Sequence, residues 1–152
     1  MGKKYKLGYT AGVYDMFHIG HLNIIMRAKE QCEALIVAVS TDELVWKYKG
    51  KAPVIPFEER AAIVEGIRYV DRVVPQTNRD KIGAWRIFGF DAMFVGDDWK
   101  GHPLFLEIEH ELKEHGVDII YFPYTRGISS TELQKKLELM GGVKFLTEKR
   151  FE

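Results

Sequence analysis

The chain has one cysteine, Cys32, which excludes an intrachain disulfide and a cysteine zinc cluster. It has no excess charge either. Its 22 basic residues balance 22 acidic ones, which argues against a nucleic-acid binder relying on bulk electrostatics but leaves room for a local basic pocket. No apolar run approaches the roughly 20 residues of a membrane span. The N-terminal lysines are not followed by an apolar signal core, so a cytoplasmic protein without membrane insertion is expected. Repeats and low-complexity stretches are lacking as well. No His/Cys/Asp cluster has zinc-ligand spacing; His102, His110 and His115 scatter over one helical segment and its ends and read as surface residues. Cys32 closes a helical pattern and reads as a packed thiol. The 152 residues, 46% apolar and 29% charged, fit one domain with a real core.

Short apolar runs alternate with amphipathic segments. Strands are expected at Lys6–Thr10, Ala34–Ser40, Arg72–Pro75, Ala92–Val95 and Val117–Phe122, and helices at Gly20–Glu33, Phe57–Ile67, Asp80–Phe88, Pro103–His115 and Ser130–Met140. Continuous apolar strands separated by helices indicate a parallel sheet buried on both faces. The expected architecture is therefore α/β: a single Rossmann-like, doubly wound domain with a five-stranded parallel sheet, spanning residues 1–140. Residues 141–152 begin Gly-Gly, turn charged, and read as a loosely held extension that packs on a partner subunit. Residues 44–56 read as the longest irregular segment, ending in the stiff Pro53-Val54-Ile55-Pro56, and loops of that length are often functional. In such sheets ligands bind at the carboxyl ends of the strands. His18 follows the first strand, Lys49 the second, Asp98 the fourth and Arg126 the fifth, so these residues converge on one edge.

The most informative segment is Val13-Tyr14-Asp15-Met16-Phe17-His18-Ile19-Gly20-His21-Leu22. Two imidazoles three positions apart at a helix start project to one side. There, backbone N–H groups and the helix dipole favour an anion. A pair of ordinary surface or core histidines is the plainer reading of that spacing alone.

Together with its flanks, this segment resembles the signature of the cytidylyltransferase family of the nucleotidyltransferase superfamily, whose core motif is His-x-Gly-His. The similarity continues in order through Ser40-Thr41-Asp42-Glu43, Tyr48-Lys49-Gly50, Glu59-Arg60, Arg68-Tyr69-Val70-Asp71, Gly96-Asp97-Asp98-Trp99 and Gly127-Ile128-Ser129-Ser130-Thr131, covering roughly residues 5 to 135. Within the family, the bacterial branch acting on glycerol 3-phosphate is nearest in pattern.

The resemblance implies that His18 and His21 stabilise the transition state on the triphosphate, with Gly20 allowing close backbone approach. It implies that Lys49 closes over the phosphates, with Lys47 the second choice and Lys51 facing solvent. A plain solvated basic loop is the alternative for all three. Val13 and Tyr14 match positions that touch the nucleotide. Thr125, Arg126, Gly127, Ile128, Ser129, Ser130 and Thr131 match a phosphate cradle, although hydroxyls at a helix start also serve as N-caps. Tyr124 departs from the family, which has an arginine there, and Arg126 supplies one two positions later. On the acceptor side the resemblance places Asp98, Lys81 and Asp15. Asp98 otherwise reads as a turn cap, Lys81 as a helix-surface charge, and Asp15 as the residue that orients its loop. Arg68 reads either as a phosphate ligand or as a brace for Asp71.

The reaction implied is CMP transfer from CTP to a small phosphorylated alcohol, giving a CDP-alcohol and pyrophosphate, in a homodimer. Magnesium is expected with the triphosphate, without assigned protein ligands. Holding two polyanions in line and stabilising charge needs donors and cations rather than a strong base. ATP as nucleotide remains open, as do phosphocholine, phosphoethanolamine, a sugar phosphate or flavin mononucleotide as acceptor. A CTP-binding regulatory module is the alternative of a different class.

Overall fold

A computed structural model describes residues 2–125 and 127–141. The elements run β1 (Tyr5–Gly12), α1 (Ile19–Gln31), β2 (Cys32–Ser40), α2 (Asp42–Lys49), α3 (Phe57–Glu65), β3 (Arg72–Gln76), α4 (Lys81–Phe88), β4 (Ala92–Gly96), α5 (Pro103–Glu114), β5 (Asp118–Phe122) and α6 (Ser130–Gly141). A single 3-10 turn, Asp97–Trp99, follows β4. The strands form one parallel sheet in the order β3-β2-β1-β4-β5. From β1 the chain winds outward through β2 to β3, then returns to the other side of β1 for β4 and β5. The switch point, where such sheets bind ligands, therefore lies between the carboxyl ends of β1 and β4.

The period-two alternation of β2 divides the core. Leu35, Val37 and Val39 pack on one face with Ile25 and Ala28 of α1, Val64 of α3 and Phe94. Ile36 and Ala38 pack on the other with Tyr9, Phe90, Met93, and Phe105 and Leu112 of α5. Burial on both faces explains why the strands read as continuous apolar runs. Cys32 is a buried free thiol at the start of β2.

The five expected strands and five expected helices are all present, with ends shifted by a few residues. One reading is corrected: residues 44–56 are not one irregular segment, because α2 occupies Asp42–Lys49. The signals for this helix are local. The Thr41 side chain accepts from the Leu44 N–H at 3.2 Å, Asp42 and Glu43 occupy the first turn, Lys47 and Lys49 the last, and Gly50 ends it at φ 72°. Lys47 and Lys49 thus stand on a helix end, and the irregular stretch shrinks to Lys51–Pro56.

A second correction concerns Arg68. It neither braces Asp71 nor lies in the cavity: it donates to the Tyr69 hydroxyl at 2.9 Å, while Asp71 pairs with Lys29 at 2.5 Å. Apart from Gly141, the last residue of α6, the expected C-terminal extension lies outside the described residues. Among the described residues no helix is long and apolar enough to cross a membrane.

Candidate active site

A cavity of about 440 Å³ opens at the carboxyl ends of the strands. At its centre α1 begins with His18 as N-cap. The His18 Nδ1 accepts the Gly20 N–H at 3.1 Å, and the His18 N–H donates to His21 Nδ1 at 3.3 Å. This is a capping box built from two imidazoles rather than a hydroxyl and a carboxamide. The rings stack with centroids 3.8 Å apart. Because each Nδ1 accepts a backbone proton, each neutral ring carries its own proton on Nε2. The His18 Nε2 is buried and has no hydrogen-bond partner among the described residues.

Burial pushes the His18 pKa down, and burial followed by the neighbouring His18 pushes His21 down to about 3. Both rings are therefore neutral N–H donors near pH 7. A Cβ at Gly20 would lie 2.8 Å from the His18 ring, so this glycine is required first by the imidazole that folds back over its amide.

The loop leading into α1 is strained. Tyr14 and Met16 adopt φ of 56° and 47°, a region that side chains disfavour. Asp15 between them holds the shape: its two oxygens accept the Val54 and Ile55 N–H groups at 2.8 and 2.9 Å, and its carbonyl accepts the Ser130 hydroxyl. Asp15 is buried, and its carboxylate, expected at the acceptor, is engaged by the chain itself.

A residue of the family pattern, given no role in the sequence reading, locks the same region. Arg60 is 1% exposed; it donates to the carbonyls of Val13, Ser40 and Ile55 at 2.7–2.8 Å and pairs with Asp42 at 2.6 Å. Its signal is a lone arginine against Ala61-Ala62-Ile63-Val64 in a short helix. Val13 and the buried Tyr14 line the cavity, and Tyr14 meets His21 edge-on at 5.4 Å.

The cations arrive from α2 and α4. Lys49 and Lys51 line the cavity, whereas Lys47 does not. Burial lowers the Lys49 pKa, and Lys51 and Arg79 act in the same direction. Lys51, expected to face solvent, is exposed but reaches Gln134 of α6 at 3.5 Å. Lys81 lines the cavity, so it is not a plain surface charge. Its ammonium donates to Gln76 at 2.8 Å, and Gln76 donates to the Ser40 hydroxyl at 2.8 Å. Burial, then nearby Arg79, brings its pKa down to about 8.

On the β5 side, Thr125, Ile128, Ser129, Ser130 and Thr131 line the cavity and Gly127 does not. Ser129 caps α6 by accepting the Glu132 N–H at 3.0 Å, and Thr125 accepts from Asn23 of α1 at 2.9 Å. Arg126 lies outside the described residues. Asp98 is brought to the rim but not into the cavity lining: it accepts the Tyr124 hydroxyl at 3.0 Å. Tyr124 does line the cavity and lies over Gly96, where no side chain would fit beneath it. Tyr48, quoted above only as part of the family pattern, also lines the cavity, as do Gln76 and Arg79, which no local pattern marks because different elements bring them in.

Comparison with known proteins gives a consistent result. A family model described as cytidylyltransferase-like matches residues 9–136. The glycerol-3-phosphate cytidylyltransferase of Bacillus subtilis is 36% identical over 84% of this chain and 94% of its own length. FAD synthase of Pyrococcus abyssi is 49% identical over a shorter stretch, 43% of this chain and 44% of its own. Among solved structures, the lipopolysaccharide core biosynthesis protein of Thermoplasma volcanium shares the fold, with a TM-score of 0.65 and 21% identity, covering 80% of this chain and 97% of that one.

Proposed function

The chain belongs to the cytidylyltransferase-like family of nucleotidyltransferases, and from that premise we propose that it transfers CMP from CTP to glycerol 3-phosphate, releasing pyrophosphate and CDP-glycerol. In this reaction an oxygen of the acceptor phosphate forms a bond to the α-phosphorus of CTP. The bond from that phosphorus to the oxygen bridging to the β-phosphorus breaks, and its electron pair leaves on pyrophosphate. The phosphate nucleophile needs no deprotonation above its second pKa of about 6, so the protein has to position reactants and stabilise charge.

The observation that carries the reading is the buried, unpartnered Nε2 of His18, beside a second neutral imidazole of the same tautomer. Backbone bonds fix both rings before any ligand arrives, so no reorganisation is spent when charge develops on the phosphoryl oxygens. Ser129, Ser130 and Thr131 at the start of α6 and Lys49 take the remaining phosphate charge in this reading. Magnesium, carried in with the triphosphate, supplies charge neutralisation on the leaving pyrophosphate. Among the described residues no group of three His, Cys, Asp or Glu is placed to hold a metal. The reading includes a cytoplasmic homodimer, which light scattering of the purified protein tests.

A second reading, AMP transfer from ATP, has one observation in its favour: the stretch shared with the FAD synthase. Pyrophosphate release in the presence of magnesium separates the two, with CTP or ATP each offered glycerol 3-phosphate, phosphocholine and flavin mononucleotide. Release with CTP and glycerol 3-phosphate is expected. Release with ATP alone overturns the cytidylyl assignment. Tight CTP binding with no release under any pairing points to a regulatory module.

A further inference from the structure

Arg79 lies in the turn between β3 and α4. Its guanidinium carbon is 4.5 Å from the ring centroid of Tyr48 and 5.7 Å from that of Trp99, and all three residues line the cavity. Tyr48 comes from α2 and Trp99 from the turn after β4, so Arg79 joins three strand ends at the cavity wall. Aromatic faces fix the plane of a guanidinium but leave its in-plane N–H groups unused. Among the described residues no carboxylate lies within ion-pairing distance of Arg79. The carboxylate that lines the cavity, Asp15, has both oxygens on backbone N–H groups. Arg79 is also close enough to Lys81 to disfavour the charge on its ammonium. Two neighbouring cations without an anion between them form a site for one.

That anion belongs to the acceptor. In-line displacement places the attacking group opposite the leaving pyrophosphate. The neutral donors of α1 and the hydroxyls of α6 serve the nucleotide side, leaving the cations of the β3–α4 turn for the incoming phosphate. We infer that Arg79, packed over the rings of Tyr48 and Trp99, grips the acceptor's phosphate with two parallel N–H bonds while Lys81 supplies a third donor. Guanidinium and phosphate match in this geometry, which an ammonium cannot reproduce. The inference rests on the nucleotidyl transfer proposed above.

The test compares wild type with Arg79→Ala, Arg79→Lys and Trp99→Leu. Pyrophosphate release is measured against glycerol 3-phosphate at saturating CTP, and against CTP at saturating acceptor. Arg79→Ala is expected to raise the acceptor KM about 10- to 100-fold, the usual effect of losing charged hydrogen bonds, and to move the CTP KM less than about twofold. Arg79→Lys recovers only part of the loss, and Trp99→Leu shows a smaller rise in the same parameter. A rise in the CTP KM instead, no change in either, or full rescue by lysine overturns the inference. Binding of inorganic phosphate, followed by calorimetry, is read in parallel and needs no turnover. Weaker phosphate binding in Arg79→Ala supports the site even if the wild type releases no pyrophosphate, a result that would sink the reaction alone; equal binding sinks the site.

Discussion

The two halves of the cavity present opposite kinds of donor. At the start of α1 the donors are neutral, and the chain's own backbone fixes them: each histidine is oriented by an amide and pushed toward neutrality by burial. Around α2 and α4 the donors are the charged tips of Lys49, Arg79 and Lys81, placed by helix ends and aromatic faces. The first arrangement suits charge that develops during the reaction, because fixed dipoles in a water-poor site need no rearrangement. The second suits charge that is already present on a diffusing reactant, because cations act at a distance and raise its local concentration.

The largest expected effect removes the support common to both halves. Arg60→Leu leaves Asp42 buried without its cation and frees the carbonyls of Val13, Ser40 and Ile55; it should cost about 3–5 kcal/mol of stability, read from urea unfolding. An unchanged midpoint would show that the two halves do not share that anchor. His18→Ala removes one oriented neutral donor and should lower kcat about 10²- to 10³-fold, with the fold intact by circular dichroism. If only the CTP KM moves, the neutral half binds rather than stabilises the transition state.

The pH profile should sharpen the contrast further. With His21 held near 3, no imidazole limb from it is expected above pH 5. The acid limb should fall at about 6, where the acceptor phosphate takes up its second proton. The alkaline limb of kcat/KM for the acceptor should fall near 8, where Lys81 loses its charge on raising the pH. Lys81→Arg should move that limb to higher pH, and a profile unchanged by this substitution would remove Lys81 from the acceptor half. The smallest effect is expected from Tyr124→Phe, which cuts the rim bond to Asp98. Since that bond is exposed, stability should change by less than about 1 kcal/mol, measured by thermal unfolding.

What the sequence made legible follows the same division. The strands, the doubly wound parallel sheet and the histidine helix start are written in local periodicity and short spacings, and the structure has them. The helix α2 was also written locally, in Thr41, the charge order from Asp42 to Lys49, and Gly50, although residues 44–56 read as one irregular segment. The roles of Arg60 and Arg79 were illegible for a different reason. Their partners are far away in sequence: Asp42 for one, Tyr48 and Trp99 for the other. Only the fold brings those contacts together. Arg68 shows the converse, since a plausible local partner, Asp71, was claimed instead by Lys29 across 42 positions.

The hydroxyl of Ser130 that ties down the Asp15 carbonyl spans 115 positions of the chain. Synthesis proceeds from the N-terminus, so the strained Tyr14–Met16 loop is made before α6 yet acquires this tether only when α6 has been made. A nascent chain that has already built the sheet would lack the finished Tyr14–Met16 loop. The loop is therefore complete only once α6 has been made, so a product ending before α6 would lack the Ser130 tether.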